Sequence, residues 1–92
     1  MDTAAFEAGL KRDGFLEIET KSMNPNVLIG DHVHPYDVRA LVLEGEVTLT
    51  FESRNQTCRP GDTLTMAANC EHREQYGPQG VRYIVGRRHK PA

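Results

Sequence analysis

The sequence lacks the features that mark membrane, secreted and nucleic-acid-binding proteins. None of its apolar stretches approaches the ~20 residues that cross a bilayer, and the charged N-terminal segment does not resemble a secretion signal. Its 11 basic and 13 acidic residues give a formal charge of −2, so it has no excess of positive charge to attract nucleic acid or an anionic membrane. We therefore expect a cytoplasmic protein with no nucleic-acid partner and no membrane partner.

Cysteine is scarce and tryptophan is absent. The two cysteines, Cys58 and Cys70, are fewer than a disulfide-stapled fold needs, and they suit reduced thiols. The 92 residues suffice for one compact domain with a modest core. We expect a single domain over residues 1–92, and a homodimer would hide further apolar surface.

The apolar pattern predicts a short helix followed by a series of strands. Phe6 and Leu10 have helical spacing within residues 1–14, and Asp13–Gly14 ends that segment. Residues 15–86 then alternate β-type stretches with turn residues, among them breaks at 44–45 and 77–80. This spacing predicts an all-β antiparallel sandwich or barrel, with residues 87–92 as a solvated tail.

Two histidines stand one residue apart in the predicted second strand. Because side chains alternate across a strand, His32 and His34 point to the same face. His72 lies in another extended segment, which the fold could bring to the same place. Three converging imidazoles suit a first-row divalent metal, whereas the alternative is a set of solvent-facing histidines. Spacing alone leaves both interpretations open.

Two stretches of the chain resemble the paired motifs of the cupin superfamily. In GDHVHPYDVRALVLEGE, which begins at Gly30, the two histidines match the family pair and Gly45 matches the closing glycine. In PGDTLTMAANCEH, Gly61 and His72 match the second motif, and Asn69 replaces a glycine. The resemblance implies a small antiparallel jelly-roll barrel with a metal held by the three histidines.

The chain departs from the family motif at one metal ligand. The position of the usual glutamate is Val38, which cannot bind a metal. Asp37 could serve instead if strand alternation breaks after Pro35, and Glu74 could serve because it shares the face of His72. Either carboxylate could instead orient an imidazole. Three histidines with water, or no metal at all, are the remaining alternatives.

The resemblance implies a metal-dependent enzyme without choosing its reaction. Iron, manganese, nickel and zinc all suit histidine ligands, and a dioxygenase, an isomerase and a decarboxylase are the expected types. The alternative is a non-catalytic module that binds or senses a small molecule. In either case we expect Val38, Ala40 and Val42 to face the interior and Leu41 and Leu43 to face outward, as a surface for a homodimer. The candidate pocket walls are Tyr36, Tyr76 and Tyr83.

Overall fold

The computed structural model describes residues 1–90 and shows one helix followed by an antiparallel sheet. The predicted tail positions 91 and 92 lie outside the described residues. The elements are α1 (Thr3–Arg12), β1 (Glu17–Met23), β2 (Leu28–His32), β3 (Tyr36–Phe51), β4 (Arg54–Cys58), β5 (Thr63–Met66) and β6 (His72–His89). The all-β class with a short N-terminal helix is confirmed.

The helix α1 covers one outer face of the sheet. The side chain of Leu10, on this helix, is fully buried in a cluster with Phe15 and Ile84, and Leu43 packs against the same cluster. The outward direction predicted for Leu43 is thus correct, but this part of the face is covered by the chain's own helix. Leu41, the other residue expected on a dimer surface, is only 5% exposed. Among the described residues, no helix is long and apolar enough to cross a membrane.

Two long strands organise the sheet. Strand β6 pairs antiparallel with β1, β2 and β3, and β3 pairs in addition with β4 and β5. Each long strand bends in the middle, where the sequence predicted a break. The register shifts between Val42 and Val47 mark an irregularity in β3, so Glu44–Gly45 is a bend inside one strand and not a hairpin. Residues 77–80 likewise lie within continuous β6.

The bends let the two halves of each long strand enclose a core. The half of β6 that begins at His72 pairs with β2, and the half that ends at His89 pairs with β1. Buried side chains from β3 to β6 fill the space between them: Val42, Val47, Leu49, Cys58, Met66, Tyr76 and Val81. This arrangement is consistent with the predicted jelly roll.

The C-terminal residues differ from the prediction of a solvated tail. Strand β6 continues to His89, and its last residues pair with the start of β3 as Tyr36↔His89 and Asp37↔Arg88. The polar composition of this segment hid a strand whose charged side chains have ionic partners, such as Asp37 for Arg88. Glu52 and Ser53 form a two-residue hairpin turn with positive φ, and β4 begins directly after it at Arg54.

Candidate metal centre

The three predicted histidines converge at one end of the enclosed space. His32 ends β2, His34 lies between β2 and β3, and His72 begins β6 directly opposite His32 in the sheet. The side-chain nitrogens that could bind a metal all lie within 4.8 Å of one another. The ring centroids of His32 and His72 are 4.3 Å apart, and His72 is only 4% exposed. The fold therefore brings His72 to the pair His32 and His34, which was the part of the cluster that strand alternation alone predicted.

Backbone carbonyls fix the orientation of two of these rings. Nδ1 of His32 lies 2.7 Å from the carbonyl oxygen of Gly30, and Nδ1 of His72 lies 2.9 Å from that of Cys70. A carbonyl oxygen only accepts hydrogen bonds, so each Nδ1 carries the proton and donates it. The lone pair of a neutral imidazole is then on Nε2, which is left free to bind a metal.

Tyr36 orients the third histidine. Its ring stacks on the ring of His34 with centroids 5.0 Å apart and planes inclined by 17°, and its hydroxyl lies 3.3 Å from Nδ1 of His34. Burial lowers the pKa of His34, and the neighbouring rings of His32 and His72 lower it further. A lowered pKa favours the neutral imidazole, which is the form that binds a metal.

The turn before β6 holds the site together from outside. Asn69 adopts the left-handed conformation with φ of 64°, which explains why it can replace the glycine of the family motif. Its N–H donates to the carbonyl oxygen of His34 at 2.7 Å. The next residue, Cys70, supplies the carbonyl that orients His72. One turn therefore positions two of the three histidines.

Asp37 does not join the histidines. Its carboxylate accepts hydrogen bonds from the N–H of Ala68 at 2.8 Å and from Arg88, also at 2.8 Å. Strand alternation is kept after Pro35, so Tyr36 and Val38 line the cavity while Asp37 points to the other face. The backbone hydrogen bond and the Arg88 guanidinium lower the pKa of Asp37. In this structure its carboxylate is a structural partner of Arg88.

Glu74 lies on the same face as His72 but outside the cluster of three ligands. Its carboxylate lines the adjoining cavity and accepts a hydrogen bond from the hydroxyl of Tyr76 at 3.3 Å. Of the described residues, the ones close enough to form a metal-ligand group are the three histidines. Glu74 thus lines the cavity without joining the three histidines.

A cavity of about 320 Å³ opens beside the histidines. Its walls include Val38 and Ala40, as predicted from strand alternation. The three candidate tyrosines also line it: Tyr36, Tyr76 and Tyr83. Burial raises the pKa of Tyr83 to about 12 and also raises that of Tyr76, so both phenols stay protonated at neutral pH. Lys21 and Arg87 line the cavity too, and neither was singled out from the sequence.

Comparison with known proteins places this fold in a family. The family model described as "Cupin domain" matches residues 20–84. No curated protein matches the chain. Among solved structures, a conserved protein of unknown function from Streptococcus pyogenes has a TM-score of 0.70 and 23% identity, over 82% of this chain and 65% of that one.

Two further structures have the same fold. A cupin superfamily protein from Desulfitobacterium hafniense has a TM-score of 0.70 and 20% identity, over 79% of this chain and 66% of that one. The DMSP lyase DddQ from Ruegeria pomeroyi has a TM-score of 0.71 and 19% identity, over 79% of this chain and 38% of that one. The chain therefore spans less than two thirds of these three proteins. The family match, the sheet and the structural similarity agree, and the chain belongs to the cupin family.

Proposed function

We propose that the protein is a metal-dependent enzyme that binds one divalent transition-metal ion through His32, His34 and His72. Its substrate is a small organic molecule in the adjoining cavity. The reaction types to test are dioxygenation, isomerisation and decarboxylation, together with the lyase chemistry named for DddQ. Iron, manganese, nickel and zinc are the candidate ions, since all accept imidazole ligands.

The observation that carries this proposal is the orientation of the three imidazoles. The carbonyls of Gly30 and Cys70 hold the Nδ1 protons of His32 and His72, so that Nε2 is the free nitrogen on each ring. Solvent-facing histidines do not need such fixed rings. An ion bound here would supply a Lewis acid with open coordination positions for substrate and water.

The part of the chain that the structure describes offers one carboxylate in the cavity lining for proton transfer. Glu74 lies on the strand that carries His72, and the Tyr76 hydroxyl holds its carboxylate at 3.3 Å. Its role in the proposal is to accept a proton from a substrate bound between it and the histidines. Tyr83 is the candidate hydrogen-bond donor to the substrate, because its phenol is protonated and lines the same cavity.

A second candidate function is a non-catalytic binding module, and Val38 is the observation that favours it. This residue lines the cavity where the family motif has a metal-binding carboxylate. A site with three neutral ligands lacks the negative charge that a carboxylate ligand would bring to a divalent ion. Under this alternative the cavity binds its small molecule whether or not the metal is present.

Metal content tests the metal site on which the enzyme depends. We expect about one equivalent of a transition metal in protein purified without an affinity tag or chelator, measured by mass spectrometry, and its loss in His72→Ala. The matched control is His89→Ala, because His89 lies outside the cluster and pairs with Glu17. Absence of metal after anaerobic reconstitution with all four ions would contradict the metalloenzyme and leave the binding module.

A further inference from the structure

The charges that line the cavity are unequal. Among the described residues, the lining holds two cations, Lys21 and Arg87, and one acid, Glu74. A divalent ion on the histidines would add to the positive side. The lining residues alone therefore carry a positive charge, and the acids outside the lining decide which of the two cations is available to a ligand.

The two cations differ in how fully they are already paired. The Arg87 guanidinium lies 3.4 Å from a carboxylate oxygen of Glu17 and 3.2 Å from one of Glu19, and its side chain is only 14% exposed. Glu17 and Glu19 lie outside the cavity lining, and their carboxylates offset the charge of the Arg87 guanidinium. Within residues 1–90 the ammonium of Lys21 has one acidic contact, with Glu19 at 4.0 Å. Since an ammonium has three donors, Lys21 retains hydrogen-bonding capacity for a ligand.

The neighbours of Lys21 fit the same kind of ligand. Tyr83 stands directly opposite it in the β1–β6 pairing and lines the same cavity. Its protonated phenol offers a second donor in the same cavity lining. Met23, two residues after Lys21, adds an apolar wall. An ammonium and a hydroxyl on paired residues of one cavity wall match the acceptor oxygens of a carboxylate.

Glu74 sets the direction in which such a ligand lies. It is on the half of β6 that pairs with β2, whereas Lys21 pairs with the other half. A carboxylate close to Glu74 would be repelled, so the acid group belongs at Lys21 and the remainder of the ligand points toward Glu74 and the histidines. The ammonium of Lys21 carries one positive charge, which suits a monoanion better than a phosphate dianion.

We propose that the cavity is selective for small monocarboxylic acids, with the carboxylate held by Lys21 and Tyr83 and the reacting end directed at the histidine site. This inference deepens the proposed function by naming its substrate class. It concerns a part of the cavity that the metal does not occupy, so it can be tested in metal-free protein.

The test compares acids with their uncharged amides. The full chain, freed of metal, is titrated separately with benzoate and benzamide and with lactate and lactamide. Binding is followed by NMR shifts of the protein's backbone N–H groups. We expect the acids to bind about tenfold more tightly than the amides, as one charge-assisted hydrogen bond allows. Equal binding of acid and amide, no binding of either acid, or tighter binding of methyl phosphate would overturn the proposal.

Two lysine variants localise the effect. Lys21→Met keeps most of the aliphatic chain and removes the ammonium, and it should abolish the preference for acids. Lys11→Met is the matched control on the exposed surface of α1 and should leave the preference unchanged. A preference that survives Lys21→Met contradicts the role of this residue. Metal content, measured separately in both variants, reports on the proposed metal site independently of the acid preference.

Discussion

The bend shared by the two long strands depends on a close backbone contact at Gly45, and alanine substitutions test how much that contact contributes. Gly45 has a φ of 71°, and a Cβ built on it would lie 2.0 Å from the carbonyl oxygen of Gly80. Gly61 also has positive φ, at 93°, but its Cβ would meet nothing within 4 Å. Gly30 has neither constraint. The three positions therefore separate backbone strain from steric overlap.

The structure gives an order of magnitude for each substitution. The left-handed conformation costs alanine about 1–2 kcal/mol, which is the whole expected effect of Gly61→Ala. At Gly45 the backbone must also move away from Gly80, and an unsatisfied buried group in the ladder costs about 1–3 kcal/mol more. Gly45→Ala should thus lower the free energy of unfolding by roughly 3 kcal/mol, a large share of the ~5–15 kcal/mol of a typical domain. Gly30→Ala should stay within about 1 kcal/mol of the parent.

Urea denaturation followed by circular dichroism measures the series. The midpoint difference multiplied by the m-value, typically ~1–3 kcal/mol per molar urea, gives each change in stability. We expect the order Gly45→Ala, Gly61→Ala, Gly30→Ala from the least to the most stable variant. If Gly45→Ala costs no more than Gly61→Ala, the close approach of β3 and β6 is wrong.

Three further predictions concern the helix, an ion pair and the thiols. Leu10→Ala should cost about 2–5 kcal/mol in the free energy of unfolding and leave metal affinity unchanged, because Leu10 is buried between α1 and the sheet, in a cluster that does not include the histidines. The pKa of Asp37 is lowered, so its ionised carboxylate stabilises the fold at pH values above the ordinary pKa of 3.8, and this stabilisation is lost as the pH falls through the lowered pKa. Asp37→Asn should therefore flatten the acid limb of a stability–pH curve. An unchanged acid limb would contradict the pairing of Asp37 with Arg88. Iodoacetamide should modify half-buried Cys70 in the native protein and buried Cys58 only on unfolding. Mass spectrometry of the labelled protein measures the order, and earlier modification of Cys58 would contradict the burial of that thiol.

Strand alternation is the part of the site that the sequence predicts well. The same-face series His32, His34, Tyr36, Val38 and Ala40 lines the cavity without interruption from the end of β2 into β3. Because nothing breaks that alternation, the Asp37 side chain points away from the histidines and bonds to Ala68 and Arg88. The pairing of His72 with His32 is a long-range contact, and the family motif pointed to it where local pattern could not.

The parts that the sequence did not reveal depend on long-range register. Lys21 enters the cavity because β1 pairs with the second half of β6, and no local pattern specifies that pairing. Arg87 was assigned to a solvated tail, since a run of basic residues near the end of a chain has no apolar periodicity to mark a strand. Its strand is stabilised by partners that are distant in sequence, Glu17 on β1 and Val38 on β3.

The bends were misread for a related reason. The segments 44–45 and 77–80 contain Gly45, Gly77 and Gly80, and their composition predicts turns. Glycine is common both in hairpin turns and at irregularities within a strand, so composition does not distinguish the two. In this fold the chain passes through both segments without reversing, and the glycines allow two backbones to approach closely.

The most direct test of the histidine site is a ¹⁵N NMR measurement of the histidine ring nitrogens before and after addition of one equivalent of zinc. The structure predicts that His32 and His72 carry their proton on Nδ1, and that zinc shifts the Nε2 signals of these two residues and a ring-nitrogen signal of His34, while His89 is unaffected. Unchanged ring-nitrogen signals for the three histidines, or protons on Nε2 in place of Nδ1 in His32 and His72, would contradict a metal site built from these residues.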